Sequence, residues 1–431
     1  MNQSFILFIN LFIYIFSFII VLKSNYKGKN FALLIFSLFL VSSLCSLLYY
    51  RTSLYYALTE AGSNDMSLFA LLFLFLNVVV FFRPILSYAV DKQVTVPDHK
   101  ILYYLGVFLG IVSILPFVEN IVHILGFNSA RFADVYYEKM DANFDSKSHL
   151  SSIGKICNGI VSWFQYITPS LFFYMLASKR KVIFIFLTLI AFLNPVSLGL
   201  IVGGRGELFQ MIFILVLNYL LFRQYFTKKQ DKVLKLVGLF FCVFAGSILF
   251  FITIARADGN SDLVYEQIYR YLGEGFINFG EKGWYITNHT HGYSIANGTG
   301  QTFMKDISDY FDARDYPRLG SITGMRMYVY YTVFGDYFID FGLIGGILFN
   351  VILALLFYLS VKGKEAHFSS LILFNLYAKI GFIGIYCYAY MYKIEFLFFS
   401  LLVVFVLRKF ENADETRYIK VNEIKPVYAI K

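Results

Sequence analysis

Leu200 to Phe213 reads LIVGGRGELFQMIF. Two long apolar runs meet here, and between them stand Arg205 and Glu207, flanked by Gly203, Gly204 and Gly206. A helix needs about 20 apolar residues to cross the hydrocarbon of a bilayer. In lipid its backbone groups must all be bonded internally, so apolar runs broken by short polar turns read as successive spanning helices. The turn at Arg205 is then either an ordinary connection at the membrane surface or part of a site that faces it.

Composition extends this reading to the whole chain. Of 431 residues, 58% are hydrophobic, 20% aromatic and only 15% charged. A soluble domain carries roughly 25% charged residues. The net charge of +9 does not point to nucleic acid, because the cations fall in short clusters between apolar runs. Such clusters orient membrane proteins. Cys45, Cys157, Cys242 and Cys387 all lie in or near apolar segments, so neither a disulfide nor a cysteine metal site is expected.

Eleven runs qualify as spans: about 4–22, 31–50, 66–90, 101–125, 156–177, 182–203, 208–222, 233–255, 327–360, 366–390 and 394–408. The first has no Lys or Arg before it and no small-residue cleavage pattern, so it reads as a spanning helix rather than a signal peptide. The ninth is too long for one simple crossing and predicts a half-helix at the surface followed by a full span after Gly342. The fold class expected is all-α: one polytopic membrane domain over 1–431, with a large loop at 256–326 between the eighth and ninth spans.

Loop charges set an orientation. Alternate loops hold Lys23, Lys27 and Lys29; Lys92 and Lys100; Lys179, Arg180 and Lys181; Arg223, Lys228, Lys229 and Lys232; and Lys362 and Lys364. The short loops of the other set hold only Arg51, Arg205 and Lys393. Positive loops stay inside, so the N-terminus, the GGRGE turn and the large loop are expected outside. The start of that loop, LVYEQIYRYLGEGF, has apolar residues at helical spacing and predicts an amphipathic helix on the membrane surface.

Outward-facing arginines run against this bias and ask for a reason. They are Arg205, Arg256, Arg270, Arg314, Arg318 and Arg326. A guanidinium matches phosphate oxygens bidentately. The glycines around Arg205 permit close backbone approach, and a helix starting after Gly206 aims free N–H groups outward. The ordinary reading pairs these arginines with loop carboxylates. Glu207, Asp336 and Asp340 are acids at the edges of spans, and Asp336 and Asp340 share one helical face. Such groups usually meet a cavity or a partner, as does Lys379 inside a span. His289 and His291, in NHTHGYS, are candidate general bases. H-x-H without a third ligand is not read as a metal site. Trp284, Tyr285 and Tyr293 offer ring faces on which sugars stack, against the ordinary reading of interfacial anchors. No phosphate-binding loop, zinc-protease motif or nucleophile elbow occurs, which excludes ATPase, protease and hydrolase classes.

Eleven or so spans, GGRGE on the outer face, TIARAD closing the next outward helix, a large outer loop and FGDYFIDFGLIGGIL together resemble the bacterial O-antigen polymerases (Wzy). The similarity is most specific over Leu200 to Leu355. The resemblance implies a GT-C-like, metal-independent membrane glycosyltransferase of lipopolysaccharide biosynthesis, with no cofactor. It implies an inner-membrane protein with its active site facing the periplasm. There the growing glycan passes from undecaprenyl diphosphate to the sugar of a new lipid-linked repeat unit, under a chain-length regulator as partner. Arg205 and Arg256 best match the family's periplasmic arginines and would stabilise charge on the departing diphosphate. A carboxylate or a histidine would take the proton of the acceptor hydroxyl. An O-antigen ligase would share the donor and use a histidine of the large loop. A polysaccharide flippase would tend to show inverted repeats, and none is evident.

Overall fold

A computed structural model of the chain describes residues 2–25, 28–58, 65–86, 94–95, 97, 100–127, 147–201, 206–256, 261–291, 316–324, 331–361, 366–385 and 394–411. These are almost entirely helical. In chain order the helices are α1 (Gln3–Lys23), α2 (Lys29–Tyr49), α3 (Ser53–Leu58), α4 (Leu68–Leu86), α5 (Lys100–Leu125), α6 (Ser152–Trp163), α7 (Thr168–Ala177) and α8 (Val182–Ile201). There follow α9 (Gly206–Phe222), α10 (Lys228–Arg256), α11 (Ser261–Glu281), α12 (Tyr316–Thr323), α13 (Val333–Val361), α14 (Ser370–Ile383) and α15 (Ile394–Glu411).

Seven of the described helices are long and apolar enough to cross a membrane, or eight if the bent pair α6–α7 counts as one span. Helix α1 shows why they belong in lipid. Leu7, Leu11 and Tyr14 are buried against protein, while Phe5, Phe8, Phe12 and Phe16 are all more than half exposed. A helix apolar on every side, half of it uncovered, is solvated by acyl chains. The protein is a multi-pass, all-α membrane protein. Three further expected runs correspond to α10, α14 and α15.

The chain divides into two compact units. One comprises Met1–Val90, Asn260–Val361 and Tyr377–Phe398; the other comprises Asp91–Gly259, Lys362–Leu376 and Phe399–Lys431. In the first, α2 packs on α1 and α11, and α4 packs on α13. Buried polar groups join the spans: Asn10 donates to Ser43 at 2.8 Å, and Asn350 donates to the Asn77 side chain at 2.8 Å. The ring of Tyr377 lies between Phe81 and Phe357, stacked at 4.1 and 4.2 Å.

Helix α11 departs from its expected place on the membrane surface. Its apolar spacing serves packing within the protein: Val264, Phe276, Ile277 and Phe279 are buried. Gly273 lies directly on the α2 backbone, where a Cβ would come 2.3 Å from Ser46 N. The Ser42 hydroxyl donates to the Leu272 carbonyl at 2.6 Å.

In the second unit, α5 lies along α8 with glycines at the crossing; a Cβ on Gly110 would sit 2.6 Å from Leu187 Cβ. The run 156–177, expected as one span, is two helices bent by 77°. Pro169 enters α7 in its first turn, and proline has no N–H with which to continue the α6 ladder. The Thr168 hydroxyl donates to the Gln165 carbonyl at 3.1 Å.

Candidate functional site

Helix α13 is preceded by Thr332, which has φ 64° and whose Oγ1 accepts the Gly335 N–H at 3.1 Å. The helix then breaks at Gly342, with φ 71° and ψ −170°. The half-helix before the break is enclosed by protein, and Val333, Phe334, Tyr337, Phe338 and Ile339 are all buried. This is the half-helix and kink expected from the length of the ninth run. The last carbonyls of a helix have no partner within it, and lipid supplies none.

A segment of the large loop supplies one. Thr290 N–H donates to the Ile339 carbonyl at 3.1 Å. Its hydroxyl donates to Asp340 Oδ1 in a short contact. Asp336 and Asp340 are both buried, 2% and 0% exposed, and lie one turn apart on the half-helix, as their spacing predicts. The clamp on Thr290 seats His289 against the break. The His289 ring meets Phe338 edge-on at 5.5 Å. A Cβ on Gly342 would come 2.8 Å from His289 Nε2. Glycine is therefore required here twice, for its positive φ and for the room the imidazole occupies. His289 Nδ1 is buried and has no hydrogen-bond partner among the described residues.

The approach to His289 is fixed by aromatic packing. Trp284 stacks on Phe338 at 5.0 Å and also meets Phe73 and Phe279. The indole thus holds the loop segment to α4, α11 and α13. Tyr285 is 40% exposed and donates its hydroxyl to the Asp65 carbonyl at 2.6 Å. His291 is exposed, at φ 53°. Arg270 bridges Glu274 one turn on, at 3.0 Å. Lys379 is buried on α14.

The first unit thus brings His289, Asp340 and Trp284 to the end of the half-helix, and Asp336 lies one turn nearer its start. Glu207 and Arg256 occupy the start of α9 and the end of α10, and Arg318 lies on α12; their side chains are outside the described residues. Arg205, Arg314, Arg326 and Tyr293 are outside them altogether. Sequence reasoning missed Thr290, whose only signal was a position next to a candidate histidine. Among the described residues no group of three or more His, Cys, Asp or Glu is placed to hold a metal ion.

His289 thus carries a buried ring nitrogen with no hydrogen-bond partner among the described residues, and it is seated on the helix break next to the Thr290 clamp. No family model matches the chain, and neither a curated protein nor a solved structure matches it.

Proposed function

We propose that this protein is an O-antigen polymerase of the bacterial inner membrane, with about eleven spans and its active face toward the periplasm. The observation that carries the reading is His289 seated on the Gly342 break by the Thr290–Asp340 clamp. In the reaction, the acceptor sugar hydroxyl loses its proton to His289. Its oxygen bonds to the anomeric carbon of the donor glycan, and the bond from that carbon to undecaprenyl diphosphate breaks. Asp340, through Thr290, holds the ring in place for that step.

Arg205 and Arg256 are assigned to the diphosphate, on the sequence alone. Charge grows on the bridging oxygen as the bond breaks, and fixed guanidinium groups stabilise it by about 2.7–4 kcal/mol per lost donor in comparable sites. Arg270 is not given this role, because Glu274 already engages it. A chain-length regulator is the partner expected.

Gene deletion followed by lipopolysaccharide gel analysis tests the reading. A polymerase deletion leaves a single repeat unit on the lipid core. A bare core would instead indicate a ligase or a flippase, and intact ladders would overturn the assignment.

A further inference from the structure

The sequence YYRTSLYY, Tyr49 to Tyr56, takes no part in the site above. It turns from α2 into α3, and its four tyrosines pack on one another. Tyr49 meets Tyr55 at 5.7 Å, Tyr50 meets Tyr55 at 4.8 Å, and Tyr56 meets Tyr55 at 5.4 Å. Tyr49 and Tyr55 are buried, and the Tyr55 hydroxyl donates to Glu281 Oε1 at 2.7 Å. The turn itself is locked by Glu266, which accepts the Ser53 hydroxyl at 2.9 Å and the Leu54 N–H at 2.9 Å. On this fixed base Tyr50 is half-buried and Tyr56 is 65% exposed.

Tyrosines at a membrane surface commonly anchor it among lipid headgroups. One feature sets this cluster apart: two rings are buried to hold two others in place. The carboxylates beside them, on the facing helix α11, are all engaged: Glu266 by the turn, Glu274 by Arg270 and the buried Glu281 by Tyr55. Arg51 is exposed in the turn itself. A neutral, hydroxyl-rich ligand suits such a platform. The axial C–H face of a pyranose is apolar and lies on a tyrosine ring, while its hydroxyls reach the Tyr50 and Tyr56 hydroxyls. A platform already rigid loses little entropy on binding.

We infer that Tyr50 and Tyr56 form a glycan-stacking subsite on the base of Tyr49 and Tyr55. It deepens the proposed function and rests on it in one respect: the ligand would be the polymer or its repeat unit. The segment Glu281–Thr290 ties the platform to the candidate base. Its first residue holds Tyr55, and its last is clamped to Asp340.

The test uses the full-length protein in nanodiscs of zwitterionic lipid. The probe is the producing cells' own surface polysaccharide, released by mild acid, with saturation-transfer NMR as the readout. The wild type should transfer saturation to sugar ring protons. Tyr50→Ala and Tyr56→Ala should each weaken binding by about tenfold, the upper end for one aromatic contact. Tyr56→Phe keeps the ring and should bind within about threefold of wild type. Phe5→Ala, which removes a lipid-facing ring, should leave binding unchanged. Tyr56 is largely exposed, so its loss should not unfold the protein. No transfer in the wild type overturns the subsite, and so do alanine variants that bind normally but anchor less firmly in the disc. The gel test separates the two proposals. Platform-dependent binding beside intact ladders on gene deletion would sink the polymerase reading and keep the subsite. A single-repeat gel with unaffected binding would do the reverse.

Discussion

Among the described residues two apolar runs are broken, and the two breaks are finished differently. In the second unit, α6 turns into α7 at Phe164–Ile167, and a ring of side-chain hydrogen bonds closes against the bend. Asn218 Nδ2 donates to Asn375 Oδ1 at 2.7 Å, Asn375 Nδ2 to Ser170 Oγ at 2.9 Å, and Ser170 Oγ to Asn218 Oδ1 at 2.9 Å. The ring of bonds is complete, and Asn375 also donates to the Tyr166 carbonyl in the bend at 2.9 Å. In the first unit, the Gly342 break is closed only in part. Thr290 engages Ile339 and Asp340, and the histidine beside it keeps a buried nitrogen with no hydrogen-bond partner among the described residues. A buried polar atom left over costs stability. A closed ring is what a bend needs to be stable. An open valence on a histidine is what the proposed reaction needs.

The largest effect should come from the open break. His289→Ala should cut polymerisation by about a hundredfold or more, the usual contribution of a positioned base. The melting temperature should fall by no more than the worth of the His289 edge contact with Phe338, because Nδ1 contributes no hydrogen bond. Long ladders from the alanine variant at normal expression would mean that the open valence is incidental. Gly342→Ala should act through the same ring. Its methyl would crowd Nε2, and its positive φ would cost on the order of 1–3 kcal/mol. Activity should fall about tenfold or more, since misplacement by about an ångström costs as much as a hundredfold. Adding Gly342→Ala to His289→Ala should lower activity little further; additive losses would show that the glycine serves the helix and not the histidine.

The closed break predicts the opposite pattern. Asn375→Leu removes both donors that hold Tyr166 and Ser170, and it deprives Asn218 of an acceptor. Leaving buried polar groups unpaired costs about 1–3 kcal/mol each, although hydrogen bonds between membrane helices average nearer to about 0.6 kcal/mol. A loss of about 2–4 kcal/mol in unfolding by denaturing detergent is expected, with activity per folded molecule unchanged. Equal loss of activity and stability would erase the distinction between the breaks.

How much of this could be read from the chain depends on how far apart the partners lie. The Gly342 break was legible, because a run of that length exceeds one crossing and a glycine stands inside it. Asp336 and Asp340 fall on one face by spacing alone. The α6–α7 bend was not legible. Its run carries no charge from Ile156 to Ala177, Pro169 alone permits a kink as readily as a bend, and the closing Asn375 is 157 residues from Asn218. The clamp was equally hidden, since Thr290 and Asp340 are 50 residues apart. Helix α11 shows a third case. Its amphipathic spacing was visible, but the same pattern suits a lipid surface and a neighbouring helix. Close approach to α2 depends on Gly273, whose role only the packed structure reveals.

The smallest effect expected concerns the far end of the loop segment that seats His289. Glu281 is buried with Tyr55 as its hydrogen-bond donor, and burial raises its carboxyl from the usual 4.5 to about 7. Desolvation is the main cause, with the Tyr55 bond and Lys282 opposing it. The folded state therefore binds a proton that the unfolded state releases between these two values. Stability from this group is fully present below about pH 4.5 and is lost as pH rises through about 7. A full shift of this size would integrate to about 3 kcal/mol. Relaxation around the carboxylate, with Lys282 adjacent, should reduce it to on the order of 1–2 kcal/mol. Glu281→Gln keeps an acceptor for Tyr55 and carries no charge, so its unfolding midpoint should vary less between about pH 5 and pH 8 than that of the wild type. The same substitution at Glu411, which Ser369 holds through both its N–H and its hydroxyl and whose carboxyl burial also raises, should reduce the pH dependence in the same direction. The Glu281→Gln variant and the wild type should differ most near the alkaline end of this range, where the variant is the more stable. If their two curves run parallel throughout, Glu281 is ionised in the folded protein, and burial at the base of the segment is not what sets its charge.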